Sequence, residues 1–556
     1  MPFSQESEKS VNPLKIDYYL NNFITLLDYV LERYQSLLSQ QEKQFVFVLK
    51  SVSLPAARLY VRLILRTGPY FRQDKIQYKE VTNLDQAIDE LKNNDLLQVN
   101  DNFPTVEVLY CLTRTELIAL CKALQLPAGI NKLKKKQLID AIAKDPSQLI
   151  ENYLKQYYVF LLPIQKEIVQ VFRLLFFGNL YQDMSEFILE DIGVVRFEKY
   201  RIREQDRLFL SRQILDQTLL FININGDLQL AIEDHDSIEV MDILEKLSAV
   251  EVTHPNLIGR KQKSLLMGAR YLERIKDWNN ALNFYQQSNC PPSRERRVRI
   301  LEKQNRNAEA FELLNQIKIE PKDDSEEEFV TIFSEKLNKK LNLPYAKRRR
   351  LNFVQIFCTL ENKPEVKVEQ VVLEHFQNQG WQGFFAENLL WNSLLGLYFW
   401  DIIFASSPGA FFNPYQRGPK DLFNLEFYHN RQAAINSRLN ELHSDKGYRE
   451  VILHNFEEKC FTANYLVAWK YLTLDHLQLV LEYVPAKHLA LIFEAMIRHL
   501  GPNRSGFPDL FICKEGRYQL IEVKGPGDQL QVSQKRWLKR FEQWNVPYAV
   551  CKVKWL

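Results

Sequence analysis

Gly506-Phe507-Pro508-Asp509-Leu510-Phe511-Ile512-Cys513, then Lys514-Glu515-Gly516-Arg517, then Leu520-Ile521-Glu522-Val523-Lys524-Gly525: two apolar, β-rich runs flank a short polar segment that carries a glycine. That is the pattern of a β-hairpin. If the hairpin is symmetric about Glu515-Gly516, Phe511 pairs with Leu520 and Asp509 lies opposite Glu522. Directly opposed side chains on one sheet face sit roughly 5 Å apart, so the two carboxylates are within reach of one divalent ion. Strand alternation places Lys524 on the same face and turns Ile521 and Val523 the other way, into a core.

Two acids and a lysine converging in this way suit hydrolysis of a phosphodiester. The substrate is an anion, and attack by water builds more negative charge, which Mg²⁺ or Mn²⁺ neutralises. Hard carboxylate oxygens hold such ions, and a lysine beside them steadies the attacking water or the phosphate as a point charge. The bland alternative is an ordinary hairpin with a surface ion pair. The Pro-Asp and Glu-Val-Lys elements occurring together at the required register weigh against it.

At these residues the chain resembles the PD-(D/E)xK nuclease superfamily. The continuation, Gly525-Pro526-Gly527-Asp528 followed by Gln534, Trp537 and Leu538 on a helix, resembles the VRR-NUC domain. Upstream, Gly380-Trp381-Gln382-Gly383-Phe384-Phe385-Ala386-Glu387 is similar to the segment that supplies a further metal-site glutamate in Fanconi-associated nucleases, and helix capping is the other role open to Glu387. The resemblance implies one or two Mg²⁺ or Mn²⁺ ions held by Glu387, Asp509, Glu522 and the Val523 carbonyl. It implies Lys524 positioning water or phosphate, and Gln534 supporting the lysine or the substrate. The implied activity is incision of 5′ flaps and 5′-to-3′ exonuclease action on branched or crosslinked duplex DNA, in interstrand crosslink repair.

The 556 residues leave room for three or four domains. An apolar content of 46% with 25% charged residues indicates packed cores rather than disorder. With a net charge of +3, affinity for DNA has to come from local basic patches. Seven scattered cysteines without a CxxC pair or zinc spacing imply free thiols in a reducing, intracellular compartment. The N-terminal residues carry no secretory pattern and no ubiquitin-binding zinc finger, so the expectation is a compact bacterial member of the family, in the nucleoid-containing cytoplasm. The most apolar run, Leu389 to Phe404, contains Asn392 and Asp401 and is short for a bilayer span, so it reads as a core helix of the nuclease and no membrane partner is expected.

The rest of the chain divides into three expected regions. Residues 1–104 read as a winged-helix-like module, in which Asp85 to Leu97 is a helix leading into a strand; Arg58, Arg62, Arg66 and Arg72 either contact phosphates or form a solvated helix face. Residues 105–235 hold a SAP-like module and a helical connector. There Thr113 caps a helix with Glu116 three residues on, Leu117, Leu120 and Leu124 form its apolar face, and Lys132, Lys134, Lys135 and Lys136 precede a second helix with Leu138, Ile139 and Ile142. Lysines at a helix start oppose the helix dipole, which favours a phosphate partner. The connector's Arg196, Lys199, Arg201, Arg203, Arg207 and Arg212 lie among acids, so ion pairing competes with DNA contact.

Residues 236–340 resemble degenerate tetratricopeptide-type helix pairs, through Ala269 to Leu282 and Ala308 to Leu314. Asp323-Asp324-Ser325-Glu326-Glu327-Glu328 reads as a solvated loop or boundary, and Lys347-Arg348-Arg349-Arg350 as a phosphate-facing or ion-paired block. Residues 341–556 form the α/β nuclease domain. The reading is therefore a multidomain, mainly α protein with helical DNA-gripping modules before a PD-(D/E)xK domain. The rivals are a restriction or junction-resolving nuclease, and a DNA-binding scaffold that retains a dead nuclease fold.

Overall fold

The computed structural model describes residues 16–100, 103–125, 132–144, 147–345, 352–445 and 447–556. The chain forms two compact units, 1–195 and 196–556. The basic block 347–350 and the loop at Gly129 lie outside the described residues. Among the described residues no helix is long and apolar enough to cross a membrane, and all seven cysteines are free.

In the first unit, helices Tyr18–Tyr34, Gln40–Ser51, Leu54–Ile64 and Leu84–Asn93 accompany a three-stranded antiparallel sheet. Ser39 and Glu42 close the second helix with a capping box, and a proline opens the third. The sheet's middle strand, Phe160–Pro163, joins Phe71–Arg72 to Leu97–Val99 from some sixty residues further along the chain. The four arginines are committed within the fold. Arg58 makes two 2.7 Å bonds to Asp17, Arg62 pairs with Glu80 while stacking on Tyr19, and Arg66 meets the Tyr78 hydroxyl. Arg72, with only 3% of its side chain exposed, bridges Asp74 and Glu116. Glu116 also closes the expected capping box with Thr113. Leu117, Leu120, Leu138, Ile139 and Ile142 fill the small core beneath, and Lys132, Lys134, Lys135 and Lys136 stand exposed beside it.

The second unit begins with a segment whose cations are mostly paired: Arg203 with Asp206, Arg207 with Glu204 and Arg212 with Asp216. Arg196 donates to Thr462 and to the carbonyls of Glu458 and Cys460. A run of helices follows from Arg212 to Lys340, each packed on its chain neighbour. The acidic run at 323–328 is not a solvated loop. Asp323 accepts the Glu326 N–H and starts helix Asp324–Lys340, and acids in a first turn are favoured by the helix dipole. Glu326 is buried against Arg294, while Asp324 and Glu328 pair with Arg540 and Arg536. The run thus docks the helical array on the nuclease end of the same unit.

That end is a five-stranded mixed sheet. Its elements are β1 (Gln355–Leu360), α1 (Val368–Asn378), β2 (Gln382–Phe385), α2 (Glu387–Tyr398), β3 (Leu510–Lys514), β4 (Arg517–Lys524), α3 (Val532–Trp544) and β5 (Tyr548–Trp555). The order is β1-β5-β4-β3-β2; β5 is parallel to β1 and β4, and β3 is antiparallel to β4 and β2. Val371, Val372 and Phe376 of α1 cover one face, with Leu510, Ile512, Ile521 and Val523. α2, α3 and the helices between α2 and β3 cover the other, with Phe511, Tyr518 and Leu520. Apart from Asn392 and the exposed Asp401, Leu390 to Phe404 is the buried core of that layer.

Candidate metal centre

The β3–β4 register pairs Phe511 with Leu520 and Leu510 with Ile521, as the symmetry about Glu515-Gly516 requires. The turn works because both central residues have positive φ, +49° at Glu515 and +75° at Gly516, the backbone of a type I′ hairpin. Asp509 immediately precedes β3 and ties three elements together. Its Oδ2 accepts the Val523 N–H at 2.7 Å, and its carbonyl accepts the N–H groups of Ala386 and Glu387 at 2.8 and 3.1 Å. The start of α2 is thereby pinned to the start of β3, and Glu387 opens that helix with a φ of +20°. Strain of this kind persists only where surrounding bonds impose it. Behind Asp509, Phe507 stacks on Trp537 of α3 at 4.1 Å. Gly506 has a φ of +92° and no room for a Cβ, which would come within 2.7 Å of Ser533.

Glu522 is fully buried. Lys524 Nζ lies 2.8 Å from its Oε1, yet neither carboxylate oxygen has a well-aligned hydrogen-bond donor. Burial pushes the Glu522 carboxyl up to about 8; the Asp509 charge adds to that rise and Lys524 opposes it. Burial also pushes Asp509 up to about 6, with the Val523 N–H and Lys524 pulling down and Glu369 and Glu387 pushing up. Two acids whose environments resist their charge are expensive to keep side by side unless a cation joins them. The Glu522 oxygens, hard donors paired with Lys524 and next to a second carboxylate, fit Mg²⁺ or Mn²⁺.

The structure brings Asp509, Glu522, Val523 and Lys524 together. Glu387 is exposed at the rim, with its Oε1 3.1 Å from Asn388 Nδ2. Among the described residues no three His, Cys, Asp or Glu side chains are drawn into a closed cage. Gln534 sits in the first turn of α3, where its Oε1 accepts the Gln531 N–H at 2.8 Å. The four lysines belong to the first unit. Glu369, in the first turn of α1, faces Asp509 closely enough to raise its pKa. Nothing in its local spacing marks it, because strand pairing alone brings α1 to the acids.

Residues 443–555 match the family described as VRR-NUC domain, and residues 17–98 the family described as FAN1, HTH domain. The Fanconi-associated nuclease 1 homolog of Pseudomonas aeruginosa is 31% identical over 97% of this chain and 96% of its own length. The Arabidopsis thaliana homolog is 26% identical over 98% of this chain and 67% of its own. The human Fanconi-associated nuclease 1 is 24% identical over 96% and 62%. A crystal structure of paFAN1 bound to 2-nucleotide 5′ flap DNA with a gap superposes with a TM-score of 0.89 at 30% identity, covering 98% of this chain and 99% of that one.

Proposed function

We propose, on the premise that this chain belongs to the Fanconi-associated nuclease family and is a DNA-binding repair nuclease, that it hydrolyses phosphodiester bonds in branched DNA, incising 5′ flaps and degrading 5′ to 3′ in interstrand crosslink repair. The observation that carries the chemistry is the fully buried Glu522 carboxylate, without an aligned donor, beside Asp509 and Lys524. Asp509, Glu522 and the Val523 carbonyl would hold Mg²⁺ or Mn²⁺, with Glu387 and Glu369 at the rim. A bound ion supplies Lewis-acid stabilisation of the charge that builds on the phosphoryl oxygens.

The protein's own groups do the rest. The Val523 N–H fixes one Asp509 oxygen and leaves the other for the site. The Lys524 ammonium, held by Glu522, offers its remaining protons to the attacking water or to a non-bridging phosphate oxygen. No side-chain nucleophile is required. Gln534 keeps the N-terminus of α3 closed beside the hairpin and supports substrate from there. The winged-helix-like and SAP-like regions, with Lys132, Lys134, Lys135 and Lys136, grip duplex arms through phosphates and so without reading sequence. The test is a panel of end-labelled single strands, duplexes, 5′ and 3′ flaps and junctions, with and without Mn²⁺. Metal-dependent cutting concentrated on 5′ flaps is the expected result; equal cutting of all substrates, or none, overturns the proposal.

A further inference from the structure

A shallow apolar groove lies against the start of α2, lined by Phe384, Leu389, Leu390, Tyr471, Leu472 and His476. Its floor is an aromatic pair: the His476 ring stacks on Phe384 at 3.9 Å with 16° between planes. The contact of His476 Nδ1 with the Tyr471 carbonyl, 3.2 Å, requires that nitrogen to carry the proton, since a carbonyl only accepts. The rim is open, with Tyr471 58% and Leu389 37% exposed. Apolar side chains exposed in a groove beside the candidate centre offer a surface to an occupant.

The position says which one. Leu389 is two residues from Glu387 on the same helical turn, and Phe384 is three residues before it on the strand that Asp509 pins. Through Phe384 and Leu389 the groove adjoins the start of α2, where the Asp509 carbonyl accepts the Ala386 and Glu387 N–H groups. Lys470 Nζ stands 5.8 Å from the Tyr471 ring centre, adding a cation for the phosphate attached to whatever lies on the ring. A flat π-face with a neighbouring cation is the chemistry that receives an unpaired base.

We propose that Tyr471, over the Phe384–His476 floor, stacks an unpaired nucleobase of the flap strand beside the scissile phosphate and so helps select branched over fully paired DNA. This rests on the function proposed above. The experiment compares a 5′ flap carrying 2-aminopurine or an abasic residue at each of the two flap positions nearest the junction, with binding measured in metal-free buffer and cleavage in Mn²⁺. For wild type, one abasic position should weaken binding about tenfold, and 2-aminopurine there should be quenched on binding. Tyr471→Ala should bind the normal flap about tenfold more weakly, lose the quenching, and show no further loss on the abasic flap; Tyr471→Phe should behave as wild type. Tyr471 is exposed, so the fold survives either change. If Tyr471→Ala still loses as much as wild type on the abasic flap, or quenching persists, the stacking role is overturned. Failure of the wild-type protein to cut any flap refutes the proposed function instead.

Discussion

Glu522→Gln should make the metal-free protein more stable while abolishing cleavage. The side chain is fully buried, its oxygens lack aligned donors, and its carboxyl is pushed up from the ordinary 4.5 to about 8. The folded value exceeds the unfolded one, which fixes the sign. Below pH 4.5 both states hold the proton and the group costs nothing. Between 4.5 and 8 the unfolded chain releases a proton that the folded chain keeps, so stability falls as pH rises, and the full penalty is present above 8. At about 1.4 kcal/mol per pH unit the gap caps the cost at roughly 5 kcal/mol. The site shares charge among Asp509, Glu522 and Lys524, so about 2 kcal/mol is the expected gain for the variant, which keeps the volume and drops the charge. Thermal unfolding in EDTA at pH 5 and pH 8.5 reads it. The variant should match wild type at the lower pH and melt a few degrees higher at the upper. Millimolar Mn²⁺ should stabilise wild type alone, by mass action. A variant less stable than wild type at pH 8.5 in EDTA would mean that the ion pair with Lys524 outweighs the cost of burying the carboxylate, and the reasoning fails.

Lys524→Ala should lower single-turnover cleavage about a hundredfold or more while changing Mn²⁺ affinity little; full recovery at high Mn²⁺ would contradict a role at water or phosphate. Neutralising Lys132, Lys134, Lys135 and Lys136 should flatten the dependence of log affinity on log salt by about 0.9 per lost phosphate contact, with cleavage restored at saturating enzyme. An unchanged salt slope would make them a solvated helix face. Gly506→Ala should cost about 1–3 kcal/mol and reduce cleavage, since the positive φ and Ser533 leave no space for a Cβ; an unchanged melting temperature would count against it.

The hairpin was legible in the sequence because its register depends on a local turn: Glu515-Gly516 sits between two alternating apolar runs and fixes every pair up to Asp509. Glu387 came from the resemblance rather than from spacing, and Glu369 had no signal, since α1 reaches Asp509 only through strand pairing. Arg58 and Arg62 looked available because their acids lie far along the chain, 41 residues away for Arg58 and Asp17 and 18 for Arg62 and Glu80. Strand Phe160–Pro163 was hidden for the same reason, its partners being long-range. The acidic run did carry a readable sign, Asp323 three residues before Glu326, the spacing of a helix N-terminus. Its charge density suggested solvent, whereas Arg294, Arg536 and Arg540 supply the opposing charge.

The central claim, that Asp509 and Glu522 form a metal-dependent phosphodiesterase site, is tested most directly by single-turnover incision of a 5′ flap in Mn²⁺ by the Asp509→Asn variant beside wild type, at protein concentrations where both bind the flap. The account predicts a loss of cleavage of at least a thousandfold, roughly 4 kcal/mol of barrier, with flap affinity unchanged. Cleavage within tenfold of wild type would contradict it.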